Sequence, residues 1–258
     1  MRVKVLVDNT AGVFCEAAHG FSLWIEADRK ILFDAGPSDL FLRNAKKLNI
    51  DLDEADAIVL SHGHWDHGNG LEHLSGKSLI THPHSFIKRF REKDFSHIGL
   101  PFSREQAMQR YDLVESIGPH WLSDNMVFLG QIPRRFDFEE GPSFFVKEDG
   151  SPDPVEDDSA LVVKHSKGLV VITGCAHSGV CNTVAYAREV CKEERVHAVL
   201  GGFHLKKRNP RTMKTVEYLK NLGVDRVLPT HCTGIEPLME FYREFGGKPL
   251  HAGACLLF

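Results

Sequence analysis

The stretch Leu60–Leu71 reads LSHGHWDHGNGL and crowds His62, His64, Asp66 and His67 into six positions, directly behind the apolar run Ala57–Leu60. Three imidazoles and a carboxylate suit no ordinary core, because buried polar groups cost free energy unless each is partnered. They do suit a divalent cation, which takes neutral imidazole nitrogen and carboxylate oxygen as ligands. Further ligands must then come from elsewhere. Other polar residues also sit just past apolar runs: His82 and His84 after SLIT, Cys175 and His177 after LVVITG, His204 after AVLGGF, and His231 after VLPT. Strand ends are rigid, and the loops beyond them can meet on one rim of a sheet sandwich. Ligands distant in sequence then come within about 2.0–2.2 Å of one ion.

The elements that would position these residues follow from hydrophobic period and turn chemistry. Val3–Val7 alternates as a strand, and Phe21–Glu26 and Lys30–Asp34 form a hairpin around the polar ADR turn. Ser38 is placed to cap a helix carrying Leu40, Phe41, Ala45 and Leu48 on one face. Ala57–Leu60 and Leu79–Thr81 are short buried strands. The second half repeats this rhythm. Ala160–Lys164 and Leu169–Thr173 pair around HSKG, Gly179–Lys192 forms a helix, and Ala198–Leu200 and Val227–Leu228 are strands. Between those last two, Asn209 caps a helix with Pro210 at its first position, and Gly223 follows its last apolar residue. Two halves of this kind predict an α+β fold. It would be an αββα four-layer sandwich, two mixed sheets with helices outside, forming one domain over residues 1–258. Residues 85–156 break the rhythm. They are rich in Phe and charge, with one helix announced by the SREQ capping box at Ser103. This region reads as an insertion over one face, either a lid or a peripheral extension.

Composition narrows the function. The chain has 258 residues, 42% apolar and 26% charged, with a net charge of −4. A broad basic surface for nucleic acid is not expected from that balance. No window has the apolar length of a membrane span. MRVKVLVDNT reads as a strand rather than a signal peptide. The six cysteines form no CxxC pair and no compact disulfide framework, so they read as reduced thiols in a cytoplasmic protein.

HGHWDHGNG resembles the HxHxDH motif of the metallo-β-lactamase superfamily, and Asp34-Ala35-Gly36 resembles its upstream strand-end DAG. The resemblance implies that His62 and His64 bind one metal and that Asp66 and His67 bind a second. Where an oxygen-reducing di-iron branch carries Glu, this chain has His64, which favours zinc-like hydrolytic or Lewis-acid use. Departures exist. Cys175 stands where the superfamily usually places an Asp that bridges both ions. The segment Glu156-Asp157-Asp158 falls where another His is usual. His177 is the expected completion of the first site, His231 the last expected ligand, and Cys175 a possible thiolate ligand, with Asp157 or Asp158 as lesser alternatives. The cofactor implied is Zn²⁺, one or two ions, with Mg²⁺, Mn²⁺ and Fe²⁺ as alternatives.

A narrower likeness lies in HGFSLWIE, GQIPR, DDSALVV, GCAHSGVCNT, GGFHL and PTHCTG. These phrases resemble the family of 7,8-dihydropterin-6-methyl-4-(β-D-ribofuranosyl)-aminobenzene-5′-phosphate synthase and its uncharacterised relatives. The resemblance implies a phosphorylated or diphosphorylated small-molecule substrate. The reaction would be hydrolysis or a pyrophosphate-releasing C–N bond formation with a pterin-type substrate. Asp66 would orient the attacking group, and His204 would contact substrate or donate a proton. Lys206, Lys207, Arg208 and Arg211, at the start of a capped helix, would bind phosphate; the alternative is a solvated basic loop. A non-catalytic metal-binding or sensor module is the competing reading. A nuclease is a third, disfavoured by the charge. The sequence leaves the oligomeric state open.

Overall fold

One alternating set of side chains in RVKVLV and SLWIE is wholly apolar, and the other carries Leu6 and Trp24 beside Arg2, Lys4 and Glu26. Val3, Val5, Leu23 and Ile25 are fully buried, and so are Leu6 and Trp24 on the other set. The computed structural model describes residues 1–141 and 143–258. Within the region 85–156, position 142 therefore lies outside the described residues. The chain divides into two compact units. The first comprises Met1–Ile117, a later segment ending at Asp157, and His251–Phe258; the second comprises Gly118–Gly141 and Asp158–Leu250.

The first unit holds a seven-stranded sheet. Its chain-order strands are β1 (Arg2–Val7), β2 (Ser22–Glu26), β3 (Lys30–Phe33), β4 (Ala57–Val59), β5 (Ser78–Thr81) and β7 (Asp112–Glu115), with β15 (Cys255–Leu257) on the edge beside β1. β2 and β3 form the expected antiparallel hairpin, and β3, β4, β5 and β7 run parallel. Parallel neighbours need crossovers. The helix α1 (Leu40–Lys47) supplies the one between β3 and β4, packing Leu40, Phe41 and Ala45 against Leu6, Trp24, Leu32 and Ile58. Its N-cap is Asp39 rather than Ser38; the Ser38 hydroxyl instead accepts the Leu40 N–H at 3.3 Å. A four-residue helix α2 (Trp65–Gly68) lies inside the histidine motif. The helix α3 (Arg104–Arg110) begins with a complete capping box between Ser103 and Gln106. A separate ribbon pairs β6 (Arg89–Arg91) with β10 (Phe145–Lys147).

The second unit holds a six-stranded sheet in the order β14-β13-β12-β11-β9-β8. The strands are β8 (His120–Ser123), β9 (Met126–Phe128), β11 (Ala160–His165), β12 (Gly168–Thr173), β13 (Val196–Gly202) and β14 (Arg226–Thr230). β11 and β12 are the expected hairpin; β12, β13 and β14 are parallel. Their crossovers are α4 (Val180–Cys191) and α5 (Pro210–Asn221), and α6 (Ile235–Phe245) follows β14. Val180, Val184, Ala187, Val216, Leu219 and Phe241 from these helices pack on Val127, Val162, Val171 and Val199 of the sheet. Asn209 caps α5 as expected, accepting the Thr212 N–H at 3.0 Å. Of the region 85–156, β7 thus belongs to one main sheet and β8 and β9 to the other.

Candidate metal centre

Parallel strands in register deliver their following loops to one edge of a sheet, where α/β folds bind ligands. In the first unit the edge receives Asp34 behind β3, Ser61 and His62 behind β4, and His82 behind β5. Asp34 is fully buried and takes a left-handed backbone, with φ of 56°. Such strain in a non-glycine residue persists only where its surroundings hold it. Here the Asp34 carboxylate accepts the Ser61 N–H at 2.7 Å, the Ser61 hydroxyl at 2.8 Å and His67 Nδ1–H at 2.7 Å. The Ser61 proton is then committed, so its oxygen accepts His62 Nδ1–H at 2.9 Å. Both imidazoles are left with their lone pair on Nε2, the tautomer of a metal ligand whose other nitrogen is held by an outer partner. His62 Nε2 meets His64 Nδ1 at 2.9 Å, and His67 Nε2 lies 3.9 Å from Asp66 Oδ2. His19, from the loop after β1, reaches Asp66 Oδ2 at 3.3 Å.

A second buried network sets the turn between the two leading histidines. The Gly63 N–H donates to Asp157 Oδ2 at 2.6 Å, and Asp157 is itself clasped by Arg89 Nη2 at 2.8 Å. Arg89 is fully buried, with its Nε 3.3 Å from Asp153 Oδ2. Burial alone would raise the Asp157 carboxyl, but the Arg89 charge and the donated hydrogen bonds outweigh it and hold the group below its ordinary value. His64 is sealed by the Phe145 ring, 4.8 Å between centroids. Its pKa falls to about 3, chiefly through burial and then through the Arg89 charge, against the pull of Asp66 and Asp157. The imidazole is therefore neutral, the form that binds metal. His82 and His84 close on each other and on Glu156: His82 Nδ1 accepts the His84 N–H at 3.1 Å, and His84 Nδ1 faces Glu156 at 3.1 Å.

In the second unit Cys175 and His177 lie behind β12, His204 behind β13, and His231 with Cys232 behind β14. Ala176, His204 and His231 all take positive φ, 52°, 48° and 53°, so all three loops leave the sheet through a left-handed turn. The His177 and His204 rings lie 4.4 Å apart. The ligating atoms of Cys175, His231 and Cys232 lie within 4.8 Å of one another, and all three residues are buried. Burial would raise the Cys232 thiol, but a hydrogen bond with Cys175, the charges of His231 and Lys206 and the His204 N–H bring it down to about 6. Asp158 accepts the Ser178 N–H at 2.9 Å. The basic segment is partly engaged: Lys206 Nζ donates to the Cys232 carbonyl at 2.9 Å, and Arg208 Nε donates to Glu240 at 2.8 Å. Arg211 is half-buried and feels Glu139 and the Cys181 thiol, and burial lowers its pKa. Each unit thus offers imidazoles with carboxylate or thiol beside them, a donor set that fits zinc-type cations.

Comparison with known proteins gives these motifs a family. The metallo-β-lactamase superfamily pattern matches residues 18–190. This chain belongs to the metallo-β-lactamase superfamily. Its fold is the α+β sandwich of that superfamily, two mixed sheets with helices. Tm1679, a solved structure described as a metal-dependent hydrolase of the β-lactamase superfamily, has a TM-score of 0.89 and 35% identity, covering 100% of this chain and 99% of that one. In Methanocaldococcus jannaschii the uncharacterized protein MJ0448 is 35% identical over 246 residues, 92% of each chain. From the same organism, 7,8-dihydropterin-6-methyl-4-(β-D-ribofuranosyl)-aminobenzene-5′-phosphate synthase is 32% identical, covering 100% of this chain and 97% of that one. Among the described residues no helix is long and apolar enough to cross a membrane.

Within this superfamily member, three groups escaped the sequence reading. Asp34 was visible only as part of the DAG strand end, not as the group that sets two imidazoles. Cys232 adjoins His231 in PTHCTG, and that adjacency to an expected ligand was its signal. The Arg89–Asp157 clasp on Gly63 joins residues 68 positions apart and has no local signature.

Proposed function

We propose that this protein is a metal-dependent enzyme acting on a phosphorylated or diphosphorylated small molecule, with one or two Zn²⁺ ions as cofactor. The carrying observation is the first-unit cluster. Asp34 and Ser61 set the tautomers of His62 and His67 so that both present an Nε2 lone pair. The relation to a synthase whose name includes an aminobenzene 5′-phosphate supports the substrate class. The proposed ligands are His62, His64, Asp66 and His67 of the first unit and His177 and His231 of the second, with Cys175 a further thiolate candidate. When bound, a divalent cation lowers the pKa of a bound water and neutralises charge on a departing phosphate or diphosphate.

The remaining roles fall to the chain's own side chains. Asp66 orients the attacking group through the carboxylate oxygen that His19 contacts at 3.3 Å. His204, held in a left-handed turn behind β13, contacts substrate or protonates the leaving group. Lys206, Lys207, Arg208 and Arg211 take the phosphate; Arg208 must exchange its Glu240 contact to do so. A related protein is described as a metal-dependent hydrolase and another as a synthase, and the proposed apparatus would serve either chemistry. The test is release of phosphate or pyrophosphate from a pterin methyl diphosphate, with and without an arylamine acceptor. Release without the amine establishes hydrolysis, and amine-dependent release establishes transfer. No release from any phosphorylated substrate by zinc-loaded protein contradicts the proposal.

A further inference from the structure

The second unit brings together two buried thiols and an imidazole. β12, β13 and β14 are adjacent and parallel, so Cys175 behind β12 and Cys232 behind β14 flank the end of β13 on one sheet edge. The residue between them is Gly202. A Cβ there would stand 2.6 Å from Cys232 Sγ and 3.2 Å from Cys175 Cα, so only glycine leaves the two loops this close. Cys175, His231 and Cys232 are exposed by only 4%, 7% and 7%, and their ligating atoms all lie within 4.8 Å of one another. The loops carrying them contain Ala176 and His231 at positive φ. Such strain costs roughly 1–2 kcal/mol per non-glycine residue and marks geometry the surroundings enforce. A simple apolar core gives no reason for that enforcement.

We propose that Cys175, His231 and Cys232 together bind a divalent cation as a thiolate–imidazole–thiolate set, which makes one metal position of this chain thiophilic. The proposal rests on the reading that the protein binds metal, and it adds Cys232 to the ligands. Tetrahedral zinc with Zn–S of about 2.3 Å and Zn–N of about 2.0–2.1 Å sets its ligand atoms roughly 3.5–3.8 Å apart, a spacing this triad reaches with little movement. Both sulfurs bind as thiolates, any remaining thiol proton passing to solvent, and the two thiolates neutralise the dipositive ion. Soft sulfur selects Zn²⁺, Co²⁺ or Cd²⁺ over Mg²⁺ and Mn²⁺.

Reconstitution of the full chain with Co²⁺ tests this without relying on activity. The expected result is an intense near-ultraviolet sulfur-to-cobalt charge-transfer band. It weakens in Cys175→Ser and in Cys232→Ser, disappears in the double variant, and is unchanged in Cys15→Ser. Zinc-edge X-ray absorption on the unmutated protein gives a second readout independent of variant folding, with sulfur expected at about 2.3 Å. A bound ion with only nitrogen and oxygen neighbours overturns the thiolate assignment and leaves the metal reading standing. No bound ion at all overturns both.

Discussion

Asp157→Ala should be among the most damaging single substitutions near the histidine turn, although Asp157 is not among the six histidine and aspartate ligands proposed above. Its carboxylate accepts Arg89 at 2.8 and 3.2 Å and the Gly63 N–H at 2.6 Å, all fully buried. Truncation leaves the buried guanidinium with Asp153, 3.3 Å away, and the His84 carbonyl, 3.0 Å away, and orphans the Gly63 amide. Removing one partner of a buried pair costs about 3–5 kcal/mol. An unsatisfied buried amide adds about 1–3 kcal/mol. Because Asp153 retains part of the pairing, a total of about 3–4 kcal/mol is expected. For a chain of this size each kcal/mol shifts Tm by about 2–4 °C, so Tm should fall by roughly 6–16 °C. The melt is best followed by circular dichroism in excess chelator, so that loss of bound metal does not add to the shift. Asp157→Asn keeps an acceptor for Gly63 and should lose less. In a double-mutant cycle with Arg89→Met, the combined loss should be smaller than the sum. A Tm drop under about 3 °C in Asp157→Ala, with additive behaviour in the cycle, would refute the reasoning.

Other substitutions test neighbouring links. Gly63→Ala would push a Cβ to 1.9 Å from the Ser85 carbonyl oxygen, so the turn must move. A cost of about 1–3 kcal/mol and weaker zinc binding in chelator competition should follow. Asp34→Asn removes the carboxylate that fixes His67 and, through Ser61, His62. Outer-partner losses of this kind lower metal affinity about 10–100-fold, measurable by the same competition. Tyr111 donates its hydroxyl to the Leu71 and Leu74 carbonyls, and burial, against the Arg110 charge, raises its pKa from 10.0 to about 12. A raised folded-state value means this stabilisation is complete below the unfolded pKa and is lost as pH climbs through the window between the two. Urea midpoints from about pH 9 to 12 should therefore fall more steeply in wild type than in Tyr111→Phe.

Much of this was readable because it is local. The β2–β3 and β11–β12 hairpins, the Asn209 cap and the Ser103 capping box each lie within a few consecutive residues. The histidine cluster was legible for the same reason. What escaped depends on distant partners. β15 is a strand because it pairs with β1 from the other end of the chain, and β9 because it pairs with β11. The helix α6 is the exception, carrying a local signal in IEPLMEFYREF, with Phe241 in the core. Asp157 stood near the place of an expected ligand, yet its carboxylate clasps Arg89 and Gly63, a role visible only once residues 63, 89 and 157 are folded together.

The central claim is that this chain's histidines hold a cation, and metal stoichiometry after equilibration with zinc and gel filtration addresses it most directly. At least one tightly held equivalent is predicted for wild type, with loss of an equivalent in His64→Ala and in His177→Ala while both variants remain folded. A folded wild-type protein that emerges with no zinc would contradict the account.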